Sequence, residues 1–242
     1  MKKLISLILC AALIFTLAAC SGKDNTNKET TTAANNSETT ESNETTENNE
    51  TTENVETTEK ETEKTQETNK TVERGTITGD VYTNEFAEFT FTKPSDWVYL
   101  TDEEISETIN AGQDVMDLNS IEQALLEKSS LYDMAAMDNF GNNVLICYEN
   151  TMISGGRKVT AEEYLEIMDN SLQAITAYDY VLVEEDDFEI GDTEFEKAVY
   201  TVTVEGVEMT QAYYVRAIDK YIVGIIVTAT TSDIADMEAM LG

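Results

Sequence analysis

The distribution of aromatic residues divides the chain at Gly75. The only Trp and all eleven Tyr come after this residue, whereas residues 21–74 contain no aromatic side chain. Residues 21–74 are almost entirely Thr, Glu, Asn, Ser and Lys, so they cannot bury enough apolar surface to offset the entropy of ordering them. The sequence therefore predicts a disordered tether over residues 20–74 and one globular domain over residues 75–242, a length that suits a single core.

The predicted tether contains a strict six-residue repeat. The motif Glu-Thr-Thr-Glu begins at Glu38, Glu44, Glu50 and Glu56. No apolar position recurs within it, so the repeat fits neither an amphipathic helix nor a solenoid with a buried core. A coil of this length spans roughly 40 Å. We interpret the segment as a low-complexity spacer that holds the domain away from a surface.

The start of the chain has the pattern of an export signal. Lys2 and Lys3 precede an apolar run over residues 4–17, which is shorter than the roughly 20 residues of a transmembrane helix. The Leu-Ala-Ala-Cys sequence ending at Cys20 resembles the lipobox of bacterial lipoproteins. This resemblance implies that residues 1–19 are removed and that Cys20 carries the lipid anchor. It also implies a location on the extracytoplasmic face of the cell membrane. An ordinary secreted protein with a Cys at its cleavage site is the alternative.

The charge balance excludes several classes of function. The chain has 15 Lys and Arg residues against 48 Asp and Glu residues, a formal charge of −33, and it contains no His. Such an acidic chain cannot displace the counterions of a nucleic acid. Without His it can form neither a Ser-His-Asp triad nor a His-ligated zinc site. We predict no cofactor and no nucleic-acid partner. The remaining candidate partners are a basic envelope protein, a cation and a neutral glycan. We also predict that the domain is a monomer.

Two capping boxes predict the starts of helices. Thr101 with Glu104, and Thr160 with Glu163, have the required three-residue spacing. The apolar residues behind these caps recur every three or four positions and are predicted to face the core. They are Ile105, Ile109 and Met116 in the first helix, Ile121 and Leu125 in a short second helix, and Tyr164, Leu165, Met168, Leu172 and Ile175 in the helix after Thr160.

The C-terminal third of the chain has the pattern of a β-meander, followed by a short helix that begins at Ser232. The segment 221–227 is apolar on both faces, which is typical of a central strand covered on each side. In the segment 207–216, a first set of residues (Val207, Met209, Tyr213 and Val215) alternates with a second set (Glu208, Thr210, Tyr214 and Arg216), so we predict a strand on which the second set faces solvent. Short turns between these runs indicate antiparallel pairing. We therefore predict an α+β fold in which an antiparallel sheet is sandwiched between helices.

The start of the predicted domain has a recognisable motif. Residues 84–91 follow the pattern Asn-x-(Phe/Tyr)-x-x-(Phe/Tyr)-x-(Phe/Tyr), and residues 94–97 give Pro-x-x-Trp. With these motifs and with residues 191–195, 211–215 and 225–230, the domain resembles the PsbP-like domains of Gram-positive bacterial lipoproteins. The resemblance implies a central antiparallel sheet between helices and an accessory or binding function without assigned activity. Photosynthetic members assist a metal cluster, but this sequence has no matching metal ligands.

Candidate chemistry is sparse in the predicted domain. Cys147 lies in an apolar run without nearby His or clustered Lys, so we interpret it as a buried core residue and not as a nucleophile. The densest acidic cluster offers a weak candidate for a calcium site in a loop, although its spacing is not that of an EF-hand. Its residues are Glu184, Asp186, Asp187 and Glu189.

We therefore predict a lipid-anchored, extracytoplasmic domain that binds or assists a partner and is not an enzyme. The alternative is a cell-envelope hydrolase that works through a pair of carboxyl groups. That mechanism requires two carboxyl groups within about 10 Å in one cleft, one of them desolvated.

Overall fold

The computed structural model describes residues 72–115, 120–204 and 206–242. The predicted signal peptide, Cys20 and nearly all of the predicted tether lie outside these described residues, as does Met116. No helix in the described ranges is long and apolar enough to cross a membrane.

Ten strands and five helices make up the described chain. Their bounds are β1 Thr76–Thr78, β2 Val81–Asn84, β3 Phe89–Thr92, β4 Val98–Tyr99, α1 Asp102–Val115, α2 Ser120–Ser129, β5 Ser130–Met137, β6 Asn143–Asn150, α3 Thr151–Ser154, α4 Ala161–Leu172, β7 Asp179–Ile190, β8 Thr193–Val204, β9 Val207–Ile218, β10 Tyr221–Ala229 and α5 Ile234–Glu238.

Seven strands form one large antiparallel sheet in the order β4-β5-β6-β10-β9-β8-β7, and β1 to β3 form a small second sheet. The predicted α+β class is confirmed. The apolar segment 221–227 belongs to β10, which is the central strand and pairs with β6 and β9. Val223, Ile225 and Val227 pack on one face of the sheet, while Ile222 and Ile226 pack on the other, so both faces are covered as predicted.

Helices α1, α2 and α4 cover one face of the large sheet, and we call them the helix layer. The capping box at Thr160 starts α4, because the Thr160 side chain accepts from the Glu163 backbone and the Glu163 side chain accepts from the Thr160 backbone. The capping box at Thr101 starts α1 in the same way. The core of this layer includes Ile105, Ile109, Leu126, Tyr164, Leu165, Met168 and Leu172.

The small sheet and α5 cover the other face, and we call them the hairpin layer. Its core contains Phe89, Phe91 and Trp97, together with Met237 of α5. The cover on this side is thus mainly a three-stranded sheet to which a short helix contributes. This layer overturns one prediction. Tyr214 of β9 was predicted to face solvent, but it is fully buried beneath the hairpin layer.

The predicted core face of α2 is also wrong. Ile121 is 77% exposed and Leu125 is only partly buried, whereas Leu126 is buried. The helix runs directly into β5, so its C-terminal end packs against the sheet while its N-terminal end lies in solvent. Burial in so short a helix depends on this junction more than on the apolar spacing.

Candidate functional site

Asp133 is a buried carboxyl group placed by a β-bulge in β5. Tyr132 lies opposite Cys147 and Met134 lies opposite Ile146, so Asp133 is an extra residue without a partner on β6. An extra residue interrupts the alternation of side chains along a strand. Asp133 and Met134 consequently both face the hairpin layer.

One oxygen of Asp133 accepts several hydrogen bonds from the hairpin layer. Its Oδ2 accepts from the Gly75 backbone N–H at 2.9 Å, from Tyr82 Oη at 2.5 Å and from Asn84 Nδ2 at 3.0 Å. The hydroxyl of Tyr148 also donates to it, at 3.4 Å. Burial, and then the nearby Tyr148 and Asp133, raises the pKa of Tyr82, so this hydroxyl keeps its proton and acts as a donor.

Arg74 connects this network to α1. Its Nε lies 3.2 Å from Asp133 Oδ1, and its two terminal nitrogens bind both oxygens of Asp102 at 2.9 and 2.8 Å. The hydrogen bonds from Arg74 lower the pKa of Asp102. We call Arg74, Asp133, Tyr82 and Asn84 the N-terminal clasp. It fastens the sheet to the residues at which the predicted tether meets the predicted domain.

Glu149 is a second buried carboxyl group and lies beneath the helix layer. It is 2% exposed, and its Oε2 accepts from Tyr164 Oη at 2.5 Å. Its Oε1 has no hydrogen-bond partner in the described part of the chain. Burial raises the pKa of Glu149 to about 8, against the opposing effect of the Ser154 and Tyr164 hydroxyls. The group is therefore mostly protonated at neutral pH.

These two carboxyl groups do not form a catalytic pair. Asp133 contacts Tyr82 on the hairpin side of the sheet, whereas Glu149 contacts Tyr164 on the helix side. The sheet itself separates them, and both are buried. A glycosidase-type mechanism needs both carboxyl groups on the same substrate, so this arrangement gives it no support.

Cys147 is buried on the helix side of β6, as the sequence predicts. Its Sγ lies 3.7 Å from the carbonyl oxygen of Gly224 on β10. Burial, and then the nearby Glu149, raises the pKa of the thiol well above its usual range. The thiolate that a nucleophile requires is thus disfavoured at this position.

The acidic cluster predicted to be a loop is instead the outer half of the edge strand β7. Glu184 and Asp186 face the hairpin side, where Glu184 Oε1 binds Lys197 Nζ at 2.8 Å. Asp187 and Glu189 face the opposite side, because successive strand residues alternate. The four residues of the weak calcium candidate therefore do not converge on one point. Within the described ranges, no group of three His, Cys, Asp or Glu side chains is arranged to hold a metal ion.

The helix side of the β7–β8 pair carries carboxyl groups directly opposite one another. Asp187 pairs with Glu196 across the two strands, and Glu189 pairs with Glu194. Like charges placed opposite each other destabilise a sheet. Partial burial, and then the charges of Asp187, Glu162 and Glu194, raises the pKa of Glu196. We call Glu162, Asp187, Glu189, Glu194 and Glu196 the acidic face.

The sequence alone indicates only in part that Asp133 and Glu149 are buried and that the acidic face forms. Nothing in the pattern around Asp133 indicates a bulge, and Glu149 follows a run that predicts a strand without showing which face is covered. Glu194 and Glu196 join the acidic face only through the register of β8 against β7. The sequence Glu194-Phe195-Glu196 alternates charged and apolar residues, which could have suggested one solvent-exposed face of a strand but not which strand pairs with it.

No known protein family and no curated protein matches the chain. Similar solved structures include the solution structure of cyanobacterial PsbP (CyanoP) from Synechocystis sp. PCC 6803, at 10% identity and a TM-score of 0.42. The match covers 69% of this chain and 97% of CyanoP. A crystal structure from Bacteroides thetaiotaomicron VPI-5482 has 14% identity and a TM-score of 0.33. There the match covers 69% of this chain and 48% of the other, so it spans about half of the Bacteroides protein. A PsbP domain is thus among the structural neighbours, while membership of the Gram-positive lipoprotein family stays a prediction.

Proposed function

We propose that this protein is a lipid-anchored extracytoplasmic lipoprotein whose PsbP-like domain binds a cationic partner and has no catalytic activity. In this proposal the acyl chains on Cys20 hold the protein at the outer side of the membrane. One acyl chain gives only marginal membrane binding and two or more give stable binding, so a diacylglyceryl group at Cys20 suffices. The segment over residues 20–74 then sets the distance between membrane and domain.

The acidic face is the observation that carries the proposal. Two pairs of carboxyl groups lie opposite each other across β7 and β8, and this arrangement costs the folded chain stability. All the charged groups that raise the pKa of Glu196 are themselves acidic. A bound partner rich in cationic groups would relieve this repulsion, and that relief favours binding at this surface.

The spacing of the acidic face favours an extended partner over a single metal ion. Asp187 and Glu189 lie two residues apart on β7, and alternate strand residues are separated by roughly 7 Å. Calcium needs six to eight oxygen ligands at about 2.4 Å from one centre. A row of carboxyl groups along two strands matches a row of Lys or Arg side chains better than it matches one such centre.

Binding of a lysine peptide to the full chain tests this surface. We expect a blocked hexalysine peptide to bind in calorimetry at low salt, and the affinity to fall steeply as salt is added, because exposed charges are screened. The double variant Asp187→Asn/Glu196→Gln is expected to bind at least about fivefold more weakly.

A matched control removes two exposed carboxyl groups of α1 through Glu103→Gln/Glu107→Gln, which gives the same change in net charge. Equal weakening by the two double variants would show that only the overall charge attracts the peptide. That result would contradict the acidic face as the binding surface.

The anchor is tested separately, by mass spectrometry of the protein purified from membranes. The proposal requires an N-terminal Cys20 with fatty acyl groups and release of the Cys20→Ser variant into the medium. An unmodified Cys20 would overturn the membrane part of the proposal and leave the binding part intact.

A further inference from the structure

The strand β7 offers an open edge of the large sheet. It is the last strand in the sheet order, and within the described residues it pairs with β8 alone. The strand is twelve residues long and most of it is exposed. An edge of this length presents a row of unpaired peptide groups that can template another strand.

The contacts of β7 show which peptide groups face outward. Ile190 and Thr193 close the two-residue turn between β7 and β8, so their peptide groups bond to each other. By alternation, the peptide groups of Asp187 face outward, where its N–H donates to the Asp186 side chain at 2.9 Å. In an antiparallel pair the inward and outward peptide groups alternate, so those of Glu185 and Glu189 also face outward. The edge around the acidic run therefore has donors and acceptors for a further strand.

The first half of β7 adds exposed apolar side chains to this edge. Val181 is 51% exposed and Val183 is 57% exposed, and Leu182 between them is also exposed. Val183 lies at the bulge that shifts the register between Leu182 and Glu184. The second half carries the acidic residues. An edge that is apolar at one end and acidic at the other suits a partner strand with both apolar and basic side chains.

We propose that an extended segment of alternating basic and apolar residues from a partner protein adds to β7 as an eighth, antiparallel strand of the large sheet. This inference rests on the proposed function and specifies how the cationic partner binds. Backbone hydrogen bonds to the outward peptide groups supply affinity, as in other cases of strand addition. The carboxyl groups on both faces of β7 select for Lys and Arg.

A second copy of this chain is a poor occupant of the same edge. Six of the twelve residues of β7 are acidic and none is basic. Pairing two such edges would place carboxyl groups opposite carboxyl groups, which destabilises a sheet. Charges and bulges on an edge strand protect it from its own copies. A basic strand removes that repulsion, so the same residues that prevent self-association favour this partner.

Three blocked twelve-residue peptides test the inference against the full chain. The first has six Lys-Val repeats. The second has the same sequence with every backbone nitrogen methylated, which retains the charge and removes the N–H donors from both edges of the peptide. The third has six Glu-Val repeats. We expect the first to bind, the second to bind about tenfold more weakly or worse, and the third not to bind, since the second loses several hydrogen bonds and the third has the wrong charge.

Equal binding of the two Lys-Val peptides would overturn strand addition and leave the acidic face, and so the proposed function, standing. A separate result would overturn the proposed function. It is equal weakening of hexalysine binding by the acidic-face variant Asp187→Asn/Glu196→Gln and by the α1 control Glu103→Gln/Glu107→Gln. Absence of binding by the unmethylated Lys-Val peptide overturns the strand inference even where hexalysine binds.

Amide hydrogen exchange gives an independent measurement on the unaltered protein. The Glu185 and Glu189 amides are expected to exchange at least about tenfold more slowly in the complex, because they become hydrogen-bonded. A matched pair of variants adds to this. Glu185→Pro and Glu185→Gln both remove one charge, but only the first removes an outward N–H, which an edge strand tolerates. Provided that thermal melts show both variants folded, weaker binding by Glu185→Pro alone supports the inference. Unchanged exchange at both amides contradicts it.

Discussion

Replacement of Asp133 by Ala tests the N-terminal clasp. The change removes the acceptor for the Tyr82 hydroxyl at 2.5 Å and for the Gly75 N–H at 2.9 Å. The change also removes the carboxyl group that Arg74 contacts inside the protein, although Arg74 keeps its hydrogen bonds to Asp102. A buried donor left without an acceptor costs roughly 1–3 kcal/mol. Asn84 keeps the Tyr148 hydroxyl as an acceptor. We therefore expect the free energy of unfolding to fall by about 3 kcal/mol, which is at the low end of the range for removing one partner from a buried charged network.

Urea unfolding followed by the fluorescence of Trp97 measures this loss, because this is the only Trp and it is buried in the hairpin layer. With a slope of about 2 kcal/mol per molar urea, a loss of about 3 kcal/mol lowers the midpoint by roughly 1.5 M. Asp133→Asn keeps one acceptor oxygen and should lose about half as much. Asp102→Asn, a control at the exposed end of Arg74, should leave the midpoint almost unchanged. A midpoint for the Asp133→Ala variant that matches this control would refute the clasp.

Three further outcomes are expected in similar assays. The pKa of Glu149 is about 8 in the folded chain against an ordinary value of 4.5, so between these pH values the unfolded state releases a proton that the native state retains. The free energy of unfolding should therefore fall by up to about 1.4 kcal/mol for each unit of rising pH in this window, and the Glu149→Gln variant should lack this part of the pH dependence. An unchanged pH dependence in the variant would contradict the raised pKa of Glu149. Gly75→Ala would place a methyl group 2.3 Å from the Tyr82 ring, so a loss of about 1–3 kcal/mol is expected in urea unfolding, and a midpoint equal to that of the parent would show that the ring moves freely. In a variant whose other two cysteines are replaced by Ser, Cys147 should resist labelling by maleimide in the folded state and react in concentrated urea. Rapid labelling of the folded protein would contradict the burial of Cys147.

The features predicted correctly from the sequence are those that depend on neighbouring residues. Each capping box needs only a Thr and a Glu three residues apart, and both are present where the sequence placed them. The central strand could be found because its two apolar faces both lie within residues 221–227. The burial of Tyr214 could not be found in this way, since it depends on a hairpin more than 100 residues earlier in the chain that covers this face.

Two β-bulges explain why the candidate sites were the least predictable parts of the molecule. Each bulge adds one residue to a strand and so reverses which face the following side chains occupy. The bulge at Asp133 turns a carboxylate toward the hairpin layer, where the clasp surrounds it. The bulge at Val183 places Glu184 beside Lys197 and leaves Asp187 opposite Glu196 on the other side. Without it, Phe188 would leave the hairpin core and Asp187 would approach that core. The acidic face thus depends on one inserted residue, and the alternation of the sequence alone carries no sign of it.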